Sequence, residues 1–124
     1  MNPETLMNGL LYESLGSAAA PTVVLFGGSS QRRHEVIEHL QRLGDINIYG
    51  TLSEADGMAK LEELGDRVDL VLIGGRYTPE QRQRIQTWMS EHLPQAQLSQ
   101  PGHAYPYSNE AIVADVARQL KISA

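Results

Sequence analysis

The sequence predicts an α/β fold, a three-layer sandwich around a short four-stranded parallel sheet in the order 2-1-3-4. Three observations predict it. From residue 22 onward, short β-branched runs alternate with segments of helical apolar spacing, in the pattern βαβαβαβα. Such alternation calls for parallel strands joined by right-handed crossovers, with helices on both faces. The most apolar run, Leu70-Val71-Leu72-Ile73, stands mid-chain and reads as a strand buried on both sides.

The elements follow in order. Thr22-Val23-Val24-Leu25-Phe26 is the first strand, ended by Gly27-Gly28. Ser29 or Ser30 caps a helix with Val36, Ile37, Leu40 and Leu43 at helical spacing, and Gly44 closes it in a left-handed conformation. A second strand covers about Ile46–Thr51. Ser53 starts a helix with Ala55, Met58, Ala59, Leu61 and Leu64 inward, closed by Gly65. After the Leu70–Ile73 strand, Thr78-Pro79-Glu80-Gln81 is a helix start with a Thr cap, Pro at the first position and Gln at the third, a capping box. Ile85, Trp88, Met89 and Leu93 form its inner face, and Pro94 ends it. Gln95–Ser99 is more polar and belongs at an edge. Gln100–Tyr107 is a loop, and the last helix starts at Ser108 and buries Ile112, Val113, Val116, Ala117 and Leu120.

The chain has 124 residues, enough for one domain. Residues 1–20 lie outside the repeat as an N-terminal arm or leader, and 21–124 form the domain. Leu6-Met7-Asn8-Gly9-Leu10-Leu11-Tyr12 carries the Asn-Gly of a tight hairpin and reads equally as a disordered leader. The first 20 residues lack a basic stretch before their apolar one, and nothing approaches the ~20 apolar residues of a membrane span. The expectation is a cytoplasmic protein with no membrane partner. Ten Lys and Arg against 15 Asp and Glu give a charge of −5, which argues against a nucleic-acid partner. The lack of cysteine removes thiol catalysis, disulfides and zinc–thiolate sites.

Three stretches carry a resemblance. They are Val68-Asp69-Leu70-Val71-Leu72-Ile73, Pro79 a turn further on, and Tyr105-Pro106-Tyr107-Ser108-Asn109-Glu110-Ala111-Ile112. Over roughly residues 21–121 the layout resembles a response-regulator receiver domain, whose sheet is flavodoxin-like. They match the family's third strand, the turn after it, and its Lys-Pro-Phe with the last helix. The resemblance implies a signalling role, yet the family's chemistry has no match. Gly27-Gly28-Ser29 stands where the acidic pair would be, Gly74 where the phosphoacceptor Asp would be, and Tyr105 where the Lys would be. Ser99 alone matches the family's hydroxyl residue. Without carboxylates there is no cage for Mg²⁺, and without the Asp no phosphoryl acceptor. Ser99 to Tyr105 is also too short for the helix and strand that the family places there, so either that unit is lost or the likeness is one of layout only.

Three loops are candidate ligand sites. In Gly27-Gly28-Ser29-Ser30-Gln31-Arg32-Arg33, a glycine turn runs into a helix N-terminus, which suits a phosphate or other anion. Arg32 and Arg33 oppose the helix dipole there by roughly 0.3–1 kcal/mol each. A bound anion would relieve that, as would pairing with Glu35. Gly74-Gly75-Arg76-Tyr77 should neighbour this turn across the topological switch point, with Arg76 adding charge and Tyr77 a stacking face. The glycine pairs serve either close approach or positive φ. Pro101-Gly102-His103-Ala104-Tyr105-Pro106-Tyr107 lies at the same end of the sheet; this loop, with His103 and Tyr105, could cover the crevice or form a contact for a partner, or Tyr105 and Tyr107 pack on the last helix.

Neither a dinucleotide fingerprint nor a Walker pattern is present, which leaves a degenerate, Rossmann-like nucleotide-binding relative as the weakest of the readings. No cofactor is expected. His34, His39, His92 and His103 sit apart, with no metal-ligand spacing, and no catalytic set converges. The reading is of a non-enzymatic, receiver-like binding or interaction module that partners a protein or forms a homodimer through residues 1–20 or an exposed helix face. The alternative is a domain that binds a phosphate-bearing or other anionic metabolite at the Gly27–Arg33 turn.

Overall fold

The computed structural model describes residues 11–14 and 16–122. Its strands are β1 (Leu11–Ser14), β2 (Thr22–Phe26), β3 (Asn47–Thr51), β4 (Leu70–Ile73) and β5 (Gln97–Ser99). Its helices are α1 (Ser30–Leu40), α2 (Glu54–Leu64), α3 (Pro79–His92) and α4 (Asn109–Leu120). The sheet order is β1-β3-β2-β4-β5. The strands β3, β2, β4 and β5 are all parallel and stand in the predicted 2-1-3-4 order.

β1 is an addition to that plan. It pairs antiparallel with β3, Leu11 opposite Thr51 and Ser14 opposite Ile48. Part of the stretch read as an arm therefore extends the sheet. The hairpin expected at Asn8-Gly9 lies outside the described residues. Behind β1 the chain is tied down by Asn47, whose Oδ1 accepts from Gly16 N at 2.8 Å and whose Nδ2 donates to Ser17 O at 2.9 Å.

Strand alternation splits the core in two. Val23 and Leu25 of β2 face a cluster with Ile37 and Leu40 of α1 and Ile112 and Val116 of α4. Val24 and Phe26 face the other way, onto Leu61 of α2 and Ile85 and Met89 of α3.

Each helix begins at the predicted cap. The side chains of Ser29, Ser53, Thr78 and Ser108 accept from the amides of Arg32, Asp56, Gln81 and Ala111. At Thr78 the box is complete, because Gln81 Oε1 accepts from Thr78 N at 2.9 Å. Gly44 and Gly65 take positive φ, 105° and 54°. The first helix ends sooner than its apolar spacing suggests, and Gln41–Leu43 continue as a 3₁₀ turn.

In α2 the inner face differs from expectation. Ala55 and Ala59 are exposed and Gly57 is buried. Gly57 lies against the Phe26 ring, where a Cβ would come within 2.2 Å of it. Fitting a phenyl ring under a helix turned the smallest residue inward.

Candidate functional site

The carboxyl ends of β2 and β4 meet at the switch point of the sheet. Gly74 N donates to Phe26 O at 2.8 Å and Gly27 N to Thr51 O at 3.0 Å, so three strands are drawn together there. A cleft of about 370 Å³ opens above them. The two glycine turns line it with Ser29, Arg32, Arg33 and Arg76, over a floor that includes Leu25 and Val36. Gly102 and Tyr107 come from the third loop.

The glycines are there for close approach. None of Gly27, Gly28, Gly74 and Gly75 has a positive φ, which corrects the left-handed alternative. A Cβ on Gly28 would lie 2.8 Å from Arg76 Cδ, and one on Gly75 would lie 3.2 Å from the Tyr107 ring. A Cβ on Gly74 would lie 3.1 Å from Phe26 O. What comes close is thus the cleft's own arginine and tyrosine, together with a neighbouring backbone.

The three arginines differ. Arg32, one turn into α1, forms an ion pair with Glu35. Its guanidinium lies 4.8 Å from the Tyr107 ring centre, and it donates to Asn109 Oδ1 at 3.0 Å. Arg33 is only 3% exposed. Its stem crosses β3 at Gly50, where a Cβ would come 2.9 Å from Arg33 Cδ. Gly50 is therefore the opening that lets a long cationic side chain run over the sheet. Arg76 is exposed, and among the described residues it makes no hydrogen bond or ion pair. Among the described residues, no carboxylate or imidazole lines the cleft.

The amides of Gly28, Ser29, Gly75 and Arg76 have no hydrogen-bond partner among the described residues. With the N-terminus of α1 they leave this end of the sheet rich in donors and poor in acceptors.

Arg82 was not singled out by its sequence, yet it braces the second glycine turn from behind the cleft. It is 4% exposed. Its Nε donates to Tyr77 O at 3.2 Å, one terminal nitrogen to Gly74 O at 2.9 Å, and the other to Gln100 Oε1 at 2.8 Å. A buried cation held by neutral oxygens thus clips the Gly74–Tyr77 turn to the loop after β5. Its positive charge stays at this end of the molecule with no acid against it among the described residues. A charged residue at the fourth position of a capped helix gives no warning of such burial.

Several predicted residues lie elsewhere. Tyr77 is buried on the α2/α3 side, edge-on to Phe26 with ring centres 6.0 Å apart, and its hydroxyl donates to Gly27 O at 3.1 Å. Burial, with Glu54 and Asp56 adding to it, pushes that phenol up to about 12. It braces the first glycine turn from behind and offers the cleft no stacking face. Tyr105 packs with the α1/α4 core and meets Ser99 Oγ at 2.7 Å. Ser99 also donates to Asp115 Oδ2 at 2.6 Å, so the hydroxyl matched to the receiver family faces α4. His103 is exposed in a turn, Ser30 is exposed as the first residue of α1, and neither lines the cleft. Tyr107, from the same loop, is the aromatic residue at the cleft. It is 41% exposed.

Among the described residues, no three His, Asp or Glu side chains gather closely enough to hold a metal ion. None of the described helices is long and apolar enough to cross a membrane. No protein-family model, no curated protein and no solved structure matches this chain.

Proposed function

We propose that this protein is a receiver-like binding module without phosphoryl chemistry, and that it seats a small organic anion in the cleft between the two glycine turns. One observation carries this reading. The cleft at the switch point is lined by Arg32, Arg33 and Arg76 and, among the described residues, by no acid. Open α/β sheets bind ligands at that crevice. Guanidinium forks suit carboxylate and phosphate oxygens.

Size narrows the ligand class. About 370 Å³ is more than a bare phosphate fills, and it falls in the range of small-molecule sites. The apolar floor of Leu25 and Val36 suits an organic body behind the anionic group. Arg76, with no acid partner among the described residues, meets the anion at the rim. Arg33, already withdrawn from water, has little further desolvation to lose.

The test is thermal unfolding against a panel of sugar phosphates, nucleotides and small di- and tricarboxylates. A true ligand at 100 times its dissociation constant stabilises the fold by about 2.7 kcal/mol. Arg76→Ala should weaken that response without lowering the unliganded midpoint, since the Arg76 side chain is exposed and unpaired among the described residues. A midpoint unmoved by every anion would overturn the proposal. Acetyl phosphate with Mg²⁺ should leave no stable acyl phosphate on the chain, because glycine stands at position 74; an acyl phosphate on any carboxylate of the chain would equally overturn it.

A further inference from the structure

We infer that the outer edge of β5 is a two-fold interface between copies of this chain, in which β5 pairs antiparallel with itself about Leu98. It uses none of the residues lining the cleft.

The backbone sets the register. Gln97 N donates to Asp69 O at 2.8 Å, so Gln97 faces β4. Leu98, the next residue, turns its own N–H and C=O away from β4. Its carbonyl accepts from Gln119 Nε2 at 2.8 Å, and its N–H has no partner among the described residues. The same holds for Gln100 N–H and Ala96 C=O. A two-fold axis at Leu98 joins Leu98 N–H to the C=O of the partner's Leu98, and reciprocally. It also joins each Gln100 N–H to an Ala96 C=O across the axis. Gln119 gives up one carbonyl and keeps its contact with Asp115 Oδ2 at 2.7 Å.

The surroundings leave room for this. A groove of about 380 Å³ lies between β5 and α3, and one of about 630 Å³ between β5 and α4, with Leu98 in the lining of both. The Leu98 side chain packs on the α3 side, so two copies set their leucines side by side next to Met89 and Leu93.

Charge selects a second copy as the occupant. Exposed edges are ordinarily guarded by lysine, other charges or proline. Gln95-Ala96-Gln97-Leu98-Ser99-Gln100 has none of these. Among the described residues, the charged ones lining the two grooves are Asp115 and Arg118, which pair with each other. In a chain of charge −5, a symmetric contact through an acidic surface sets like charges together. This neutral strip avoids that repulsion.

Sedimentation equilibrium of the full chain over a wide concentration range should show a monomer–dimer equilibrium. Leu98→Pro removes an N–H that β4 does not use, a change edge strands accept. It should weaken the dimer about tenfold or more while circular dichroism stays native. Leu98→Cys, in a chain with no other cysteine, should give a covalent dimer under mild oxidation, and Glu62→Cys on the exposed side of α2 should not. If Leu98→Pro fails to fold, the cross-link alone decides. A monomer at every concentration would overturn the inference, as would a dimer that a folded Leu98→Pro leaves intact or one that Leu98→Cys does not cross-link.

Discussion

Two residues show how a single position is decided by what lies against it. Gly57 has helical neighbours on both sides, and alanine there would favour the helix by about 1 kcal/mol. The Phe26 ring occupies the space a methyl needs, and overpacking costs roughly 1–3 kcal/mol. Gly57→Ala should therefore lower stability by roughly 1 kcal/mol, seen as a lower urea midpoint. Lys121 is the opposite case. It caps α4 in the left-handed region, with φ 60° and ψ 43°, where a Cβ is strained. Its side chain is exposed, so Lys121→Gly should raise stability by about 1 kcal/mol, checked as a higher thermal midpoint.

Elements are held by their ends as much as by their faces. The box at the start of α3 satisfies amides at both Thr78 and Gln81, and Thr78→Ala should cost about 1 kcal/mol in chemical denaturation. Arg82, one residue further into that helix, matters more. Its three hydrogen bonds hold the carbonyls of Gly74 and Tyr77 and the Gln100 side chain. Arg82→Met would leave the Tyr77 carbonyl without a donor and the Gly74 carbonyl with only the long bond from Tyr77 N, and should cost about 3 kcal/mol. It should also weaken any anion response of the cleft, although Arg82 does not line it. Of these two features, Thr78-Pro79-Glu80-Gln81 was plain in the sequence, since capping is a matter of residues three apart. The clip was not, because its partners come from two loops that meet only after folding.

For the molecule as a whole, the titrating groups limit stability on both sides of neutrality. Burial alone would raise Asp115, but hydrogen bonds from Ser99, Gln119 and Arg118 hold it below its ordinary value of 3.8. Hydrogen bonds from Arg84 likewise lower Glu54. Carboxyls lowered by folding stabilise the native state above their unfolded values and lose that contribution as the pH falls through the folded ones. Stability should hold down to about pH 4 and then fall, and Asp115→Asn should flatten this acid limb. Tyr77 and Tyr105 are both pushed up to about 12, chiefly by burial. Their contribution is full below the ordinary phenol value of 10.0 and is lost as the pH rises towards about 12. Tyrosinate absorbance should rise together with alkaline unfolding.

The sequence by itself determined the order of the elements, the four caps, the 2-1-3-4 sheet and the meeting of two glycine turns at one end of it. These follow from apolar periods and from contacts only three or four residues apart. The tertiary structure alone decided which side chains reach the cleft. Tyr77 turns back to Gly27, 50 residues away, while Tyr107 comes to Arg32 across 75. It alone decided that Arg33 lies over Gly50, that Arg82 and Asp115 are buried, and that β1 joins β3. Those outcomes depend on which surfaces are left facing one another once the sheet has formed, and no local pattern of residues encodes that.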